Sequence, residues 1–501
     1  GYFIDAGIAH HRATKGADRR LYDAARKLAD CWDAHIGPAP KQEWYDGHQA
    51  MEMALIRLGR YVDQTEGPGK GERYFRLAKF LLDCRGRGDR GEGAEHGPQS
   101  AGYEYDQSHA PVVQQYEAVG HAVRAAYLYS AMADVAMQTR DPDYTSAVRS
   151  LFTNIADRKY YVTGGIGSGE TSEGFGPEFS LPNDGYCESC SSCAEIFFQA
   201  RMNRLYKDTR AADLLEDALY NALLGSLDLQ ARHYYYDNPP DANVARYSWH
   251  VCPCCVGNIP RTLLSLPSWT YLRGRDGLYV NLFMGGTVTV DDVAGTAVTL
   301  AQETGYPWNG RVRIRLTPER PREFALHVRV PDRAPSPLYK ATPAAAGDVA
   351  IRVNGHVVRA RVERGYAVVR RRWRAGDTVD LGLPMTVQRL HPDPRMKALA
   401  GRVALKYGPL LYNIESVDQD IGQALERGAR LTTEWRGDLL GGVTVIKGRF
   451  ASGEPLLAIP NFARYNRGAA PTEYPLEPEK PADGSQPRPF PPTSLVWIRE
   501  A

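Results

Sequence analysis

The stretch EWYDGHQAMEMALIRLGRYV, residues 43–62, places Met53, Leu55, Ile56 and Leu58 near the spacing of one helical face. Similar segments recur in the first half of the chain: RYFRLAKFLLDC (73–84), QYEAVGHAVRAAYLYSAMADVAMQT (115–139), CAEIFFQARMNRLYKDT (193–209) and RAADLLEDALYNALLGSLDL (210–229). Connections such as QTEGPGKGE are rich in Gly, Pro and charge, as expected of loops. This succession of helices predicts a toroid or solenoid of helix pairs up to about residue 265.

From about residue 270 the apolar residues alternate with polar ones instead. Examples are RVRIRL (311–316), FALHVRV (324–330), YAVVRRRW (366–373) and RVALKYGPLLYNIES (402–416). The pair Asn354-Gly355 lies between two such runs and predicts a tight hairpin. We therefore expect one or two β-sandwiches after the helices. The predicted domains are a helical domain at 1–268, a β-sandwich at 269–392, and a second β-sandwich or C-terminal β domain at 393–501.

Charge and hydropathy exclude some classes of partner. The 61 basic and 59 acidic residues give a net charge of only +2, which offers no case for nucleic acid or an anionic membrane. No apolar run approaches the ~20 residues that span a bilayer. The chain starts without Met, within an apparent helix, so we expect the helical domain to lack its N-terminal start here.

One long glycine-rich loop interrupts the helices. It reads YVTGGIGSGETSEGFGPEFSLPNDGY (161–186) and carries Glu170, Glu173 and Glu178. Loops of this length inside a compact domain are usually functional or disordered, and the aromatic residues favour function.

Most of the eight cysteines fall in two groups, YCESCSSCA (186–194) and HVCPCC (250–255). Three thiolates and the Glu188 carboxylate would make a tetrahedral zinc site. The spacing alone leaves structural and catalytic zinc as equal alternatives, with unligated buried thiols as a third. The proximity of the first group to the glutamate-bearing loop favours catalysis, because a carboxylic acid and a zinc-bound thiolate are a general acid and a nucleophile.

The motifs TGGIGS, SEGF, LPND, ESC and CPCCVGN, in that order, resemble glycoside hydrolase family 127, the retaining β-L-arabinofuranosidases. The segments AVGHAVRAAYLYSAMADVA, YPWNG and GPLLY are also similar to that family, so the resemblance covers nearly the whole chain. It implies a mixed, multidomain fold, an (α/α)6 helical barrel followed by all-β sandwich domains.

The resemblance also implies roles for individual residues. The implied ligands of a Zn²⁺ cofactor are Glu188, Cys190, Cys254 and Cys255. Cys254 matches the nucleophile and Glu173 the acid/base, with Glu170 and Glu178 as alternatives for the latter. Cys252 matches a family cysteine that is not a ligand, whereas Cys187 and Cys193 lie outside the family's core set and either pack or replace a ligand.

A sugar pocket is implied at His48, His121, Glu216 and Tyr236. Tyr2 departs from the pattern, because the family's arabinofuranosidases have histidine at this position. We expect this difference to change which sugar hydroxyl is recognised.

The resulting hypothesis is a glycoside hydrolase, a retaining exo-enzyme that releases a terminal pentofuranose-type sugar, with β-L-arabinofuranoside as first choice. One alternative is a related glycosidase for another plant-pectin sugar. Another is a carbohydrate-binding protein with a structural zinc site. A redox role is disfavoured, since no C-x-x-C begins a helix in a thioredoxin-like setting. The expected partner is a small plant-derived oligosaccharide or glycoside, without nucleic acid or membrane; a homodimer remains open. Free thiols favour a cytoplasmic location.

Overall fold

The computed structural model describes residues 1–87, 102–170, 173–344, 349–468, 471–472 and 493–501. The chain divides into two compact units. The first unit comprises Gly1–Lys159 and Ile166–Glu178, and the second comprises Tyr160–Gly165 and Phe179–Ala501.

The first unit is helical. Its α-helices are Tyr2–Ala13, Arg20–His35, Met51–Glu66, Glu72–Cys84, Ala122–Thr139 and Pro142–Asn154, with a π-helix at Ile155–Lys159 and short 3₁₀ turns at Gly102–Glu104 and Val112–Gln114. The helix Met51–Glu66 packs against both Glu72–Cys84 and Ala122–Thr139. Leu55, Leu81 and Leu128 are fully buried at these contacts, as the apolar periodicity predicted.

Two of the quoted helical stretches are shorter than the sequence predicts. Residues 43–50 precede the helix Met51–Glu66, and residues 115–121 precede the helix Ala122–Thr139. In the second case Gly120 has a φ of +70°, and a Cβ there would collide with the carbonyl oxygen of Glu104. Only glycine fits this approach, so the helix cannot begin earlier.

Residues 120–122 instead pair with residues 173–175 of the glycine-rich loop. The amide of Phe175 donates to the carbonyl of Gly120 at 2.9 Å, and the amide of Ala122 donates to the carbonyl of Glu173 at 3.1 Å. We call this pair of segments the loop ribbon. Residues 171 and 172 of the predicted loop lie outside the described residues.

The second unit begins with helices. These are Ser189–Tyr206, Thr209–Asp217, the π-helix Ala218–Leu223, Cys254–Ser265 and Pro267–Thr270. The helix Ser189–Tyr206 is buried on almost every side, including polar residues such as Glu195 and Gln199. Gln199 donates to Glu195 at 3.0 Å, and burial raises the pKa of that carboxyl to about 8.

Two antiparallel-rich sheets follow and form a sandwich. Among the described residues the first has the order β1 (Tyr271–Arg273), β2 (Gly277–Val280), β6 (Arg322–Arg329), β11 (Tyr366–Trp373), β10 (Arg361–Glu363). The second has the order β3 (Gly286–Val293), β4 (Thr296–Thr304), β5 (Arg311–Pro318), β12 (Asp377–Gly382), β8 (Ala350–Val353), β9 (His356–Val357). Leu326 and Val369 of the first sheet share one buried core with Ile314 and Val379 of the second.

The predicted hairpin between β8 and β9 is confirmed. Val353 pairs with His356, and the intervening Asn354 and Gly355 have φ angles of 50° and 83°. Positive φ at both central residues is the backbone that an Asn-Gly turn favours.

A further sheet contains the remaining strands. Its main order is β16 (Ala424–Leu425), β21 (Ile498–Glu500), β14 (Arg402–Tyr407), β15 (Leu410–Glu415), β19 (Pro455–Pro460), β18 (Val443–Arg449), β17 (Thr432–Arg436). The strand β13 (Val387–Pro392) pairs with β14 and with β7 (Tyr339–Thr342), and β20 (Ser494–Leu495) pairs with β15. The predicted order of helices followed by β-sheets is therefore confirmed.

Buried ion pairs connect the helices of the second unit to its sheets. Arg329 of β6 bonds to both Asp213 (2.5 Å) and Glu216 in the helix Thr209–Asp217. Arg333 donates to the same Glu216 at 3.0 Å. We call these four residues the arginine clamp. All of them are nearly inaccessible to solvent, so buried ion pairs hold the helix against the sheet.

In the part of the chain that the structure describes, no helix combines the length and the apolarity that crossing a membrane requires.

Candidate active site

Two helix N-termini of the second unit converge on one group of side chains. Glu188 is the N-cap of the helix Ser189–Tyr206, and Cys190 lies in its first turn. Cys254 and Cys255 are the first two residues of the helix Cys254–Ser265. Helix N-termini present unsatisfied N–H groups and a positive partial charge, so this position favours negatively charged side chains.

The four side chains form a compact set, here called the thiol cluster (Glu188, Cys190, Cys254 and Cys255). One ligand atom from each lies within 4.8 Å of all the others. The Sγ atoms of Cys254 and Cys255 are 3.8 Å apart, and Glu188 Oε1 lies 3.5 Å and 3.6 Å from them. The Sγ atoms of Cys190 and Cys255 are 3.2 Å apart.

These separations fit a tetrahedral metal site. Metal–sulfur bonds of about 2.3 Å and a metal–oxygen bond of about 2.0 Å imply tetrahedral edges of about 3.8 Å between sulfurs and about 3.5 Å between sulfur and oxygen. The Cys254–Cys255 and Cys254–Glu188 separations match these edges, and the Cys190–Cys255 separation is shorter. Three thiols with one carboxylate are also a donor set suited to a borderline-soft divalent ion. The thiol cluster can therefore hold a metal.

The electrostatics of the thiol cluster separate its members. Hydrogen bonds from Cys190 and Cys255 lower the pKa of Cys254, whereas burial raises the pKa of Cys190 and of Cys255. Cys254 is also the half-exposed cysteine of the set, and the other two are buried. Cys254 is thus both the favoured thiolate and the sulfur that solvent or a substrate can reach.

The other nearby cysteines lie outside the thiol cluster. Cys187 and Cys193 are completely buried, and burial raises the pKa of Cys193 to about 12. Such thiols stay protonated and pack as small apolar groups. Cys252 is exposed, with its Sγ 3.9 Å from that of Cys254.

Tyr236 lies beside the cysteines, next to a histidine that the sequence analysis did not single out. Its hydroxyl hydrogen-bonds to Cys254, and its ring stacks on His250 with a centroid separation of 4.0 Å. His250 accepts a hydrogen bond from the amide of Cys252 at Nδ1 (3.1 Å). His250 therefore holds in place both the ring of Tyr236 and the turn at residues 250–254, here called the cysteine turn. In the sequence, the one sign of its role was its position two residues before Cys252.

In the first unit the loop ribbon positions Glu173. Its carboxylate lies 2.8 Å from Nε2 of His121, and its side chain is 29% exposed. His121 is the N-cap of the helix Ala122–Thr139 and accepts from the amide of Val123 at Nδ1 (3.2 Å). An imidazole that accepts at Nδ1 carries its proton at Nε2, so His121 donates to Glu173 and orients it.

Aromatic rings continue from this pair through the first unit. His48 contacts the ring of His121 (5.8 Å between centroids) and that of Tyr127 (6.3 Å). The hydroxyl of Tyr2 lies 3.5 Å from that of Tyr127. Of the predicted sugar-binding residues, Tyr2, His48 and His121 thus lie along one path that ends at Glu173.

Three family models match successive parts of the chain. Residues 1–268 match the model of the β-L-arabinofuranosidase GH127 catalytic domain, residues 277–385 match the GH127 middle domain, and residues 387–473 match the glycoside hydrolase family 127 C-terminal domain. A non-reducing end β-L-arabinofuranosidase of Bifidobacterium longum subsp. longum is 32% identical over 490 residues, which cover 89% of this chain and 70% of that protein. The chain belongs to glycoside hydrolase family 127.

Solved structures of family 127 share the fold. A GH127 β-arabinofuranosidase has a TM-score of 0.85 and 32% identity, covering 100% of this chain and 76% of its own. A GH127 β-L-arabinofuranosidase from Geobacillus stearothermophilus T6 also has a TM-score of 0.85, with 33% identity and coverage of 100% and 79%. The chain is therefore a glycoside hydrolase of the β-L-arabinofuranosidase family, and its substrate is a carbohydrate.

The remaining candidate residues of this family 127 enzyme are engaged elsewhere. Glu216 belongs to the arginine clamp, is 2% exposed and has its pKa lowered by Arg329 and Arg333. This placement favours a structural role, and its contact with a sugar stays a prediction. Glu178 is bonded to Arg158 (2.6 Å) and Asn154 (2.9 Å).

Glu170, the other alternative for the acid, accepts from Ser168 at 2.8 Å. Glu173 differs from both alternatives because its partner is a histidine, a group that can itself exchange a proton.

Proposed function

We propose that this enzyme is a retaining exo-glycosidase that releases terminal β-L-arabinofuranose, with Cys254 as nucleophile and Glu173 as acid/base. The observation that carries the proposal is the thiol cluster, in which Cys254 is the accessible, most acidic thiol at a helix N-terminus. The names of the related enzymes support the sugar, and the His121–Glu173 pair supports the acid/base.

In the first step the Cys254 thiolate attacks the anomeric carbon, a C–S bond forms and the glycosidic C–O bond breaks. Glu173 gives its proton to the departing oxygen. In the second step Glu173 takes a proton from water, whose oxygen attacks the same carbon while Cys254 leaves as thiolate. Two inversions at one carbon give net retention.

The thiol cluster is proposed to bind zinc through Glu188, Cys190, Cys254 and Cys255. When bound, zinc would keep the thiols ionised at neutral pH and make the nucleophilic sulfur a better leaving group. His250 and Tyr236 hold the cysteine turn in place, so the reacting sulfur keeps its orientation through both steps.

The direct test uses p-nitrophenyl β-L-arabinofuranoside, with the α-anomer and the L-arabinopyranoside as controls. We expect hydrolysis of the β-furanoside alone, and NMR of the first-formed product should show the β-anomer. Formation of the α-anomer first would contradict a retaining mechanism. Preference for another sugar would mean that the enzyme is a related glycosidase with a different substrate.

For the metal, we expect elemental analysis of the purified enzyme to find one zinc ion per chain. Cys190→Ser should lower zinc affinity by at least about 10-fold, since it removes one of the proposed ligands. Cys252→Ser is the matched control, because this thiol is exposed and outside the thiol cluster. Equal zinc content in both variants would show that the ligand set is wrong.

For the sugar, we expect Tyr2→His to change the ratio of kcat/KM between the β-L-arabinofuranoside and the best alternative pentoside by at least about 10-fold. Tyr2 contacts Tyr127 on the path that includes His48 and His121. The hydroxyl of tyrosine and the ring nitrogens of histidine lie at different distances from the backbone, so the two side chains would hydrogen-bond to different sugar hydroxyls. An unchanged ratio would mean that Tyr2 only packs.

A further inference from the structure

A groove of about 420 Å³ lies at the surface of the first unit. Its lining includes Tyr116, Ser150, Thr153, Asn154, Arg158 and Glu178. The ring of Tyr116 is 55% exposed beside it. The assigned chemistry uses none of these side chains.

The groove combines an apolar platform with fixed polar groups. Leaving an aromatic face in water is unfavourable, and a ligand with an apolar face that covers it gains that burial. Ser150 and Thr153 supply hydroxyls within the same lining. Sugar rings present C–H faces and hydroxyl edges together, which matches this combination.

The polar wall of the groove is rigid. Glu178 is held by Arg158 at 2.6 Å and by Asn154 at 2.9 Å. Asn154 also accepts from the amide of Ala118, at 3.0 Å. A wall that is already ordered costs little further entropy when a ligand binds.

The loop ribbon connects the groove to the proposed acid. Tyr116 and Glu178 lie in the chain segments that continue from the ribbon, five residues from His121 and from Glu173, respectively, and Phe175 pairs with Gly120 within the ribbon. Five residues reach about 16 Å only when fully extended, and this segment bends at Glu117 and Gly120. Neither His121 nor Glu173 lines the groove, so a ligand there would be a part of a bound glycan other than the sugar beside Glu173.

We propose that the Tyr116 groove is a distal carbohydrate subsite, which binds an oligosaccharide beyond the bond that is cleaved. The proposal rests on the proposed glycosidase function and extends it to the leaving group. The enzyme would then prefer oligosaccharides with several sugar residues after the terminal arabinofuranose over small glycosides.

The kinetic test compares p-nitrophenyl β-L-arabinofuranoside with a β-L-arabinofuranosyl-capped arabino-oligosaccharide of five sugar residues. Tyr116→Ala should lower kcat/KM on the oligosaccharide by about 10-fold and leave the aryl substrate within about 2-fold of the wild type. Tyr116→Phe keeps the platform and should behave as the wild type. Tyr103→Ala, which removes another exposed tyrosine of the first unit, should change neither substrate.

A binding test separates this proposal from the proposed activity. Uncapped arabino-, galacto- and xylotetraose are titrated by calorimetry into the wild type and into Tyr116→Ala. Binding of one of them by the wild type, weakened about 10-fold in the variant, supports the subsite even if no arabinofuranoside is cleaved. Absence of binding by all three, or equal loss of activity on the short and long substrates, would overturn it.

Discussion

Replacing Cys254 by serine should lower kcat on an aryl β-L-arabinofuranoside by on the order of 10³-fold or more, since the nucleophile of a covalent mechanism is lost. A serine hydroxyl is far less acidic than the thiol whose pKa is lowered in the thiol cluster. Steady-state kinetics, with zinc content and the thermal unfolding midpoint measured on the same sample, provide the test.

Cys252→Ser is the control for Cys254→Ser, because Cys252 occupies the same turn with its sulfur only 3.9 Å away. We expect this variant to keep most of its activity. If instead Cys252→Ser is the inactive variant and Cys254→Ser turns over normally, the nucleophile has been assigned to the wrong cysteine.

Replacing Glu173 by glutamine should lower kcat on an oligosaccharide by on the order of 10²–10⁴-fold, because an amide cannot protonate the departing oxygen. The loss should be smaller with p-nitrophenol as leaving group, which departs without protonation. Glutamine keeps an oxygen that can accept from Nε2 of His121, now 2.8 Å from the carboxylate. The position of the side chain is therefore preserved.

Glu170→Gln and Glu178→Gln are the matched variants for Glu173→Gln. Both carboxylates lie on the same loop and are bonded to Ser168 and Arg158, respectively. We expect neither to show a loss that depends on the leaving group. Such a dependence at Glu170 or Glu178, with normal turnover in Glu173→Gln, would reassign the acid.

The elements that the sequence predicted correctly are those that local pattern determines. Asn354-Gly355 forms its hairpin because asparagine and glycine both readily adopt the positive φ angles that the turn requires. The alternation in RVRIRL survives as β5 because its valine, isoleucine and leucine enter one core while the arginines face out. Both outcomes depend on neighbours along the chain.

The start of the helix at Ala122 could not be predicted in this way. It depends on the pairing of residues 120–122 with residues 173–175, about fifty positions away, and on the contact of Gly120 with Glu104. The helix Ser189–Tyr206 is buried almost all round, so its apolar residues follow no single face. Long-range packing decided both.

The candidate site shows the same division. The two cysteine groups indicated a metal site, but the resemblance to family 127 selected Glu188, Cys190, Cys254 and Cys255, which the structure brings together. The engagement of Glu216 was not visible, since its partners Arg329 and Arg333 follow more than one hundred residues later. Nothing in the stretch around Glu216 indicates which charge it will meet.

The arginine clamp limits how this enzyme can be divided. A chain ending at residue 268 would contain Asp213 and Glu216 but neither Arg329 nor Arg333. Removing one partner from a buried ion pair costs about 3–5 kcal/mol, a large part of the stability of an ordinary domain. The catalytic segment of this chain is therefore not a portable module: the sheets that follow it supply counter-charges, and a fusion or domain exchange made from this enzyme must carry both parts together.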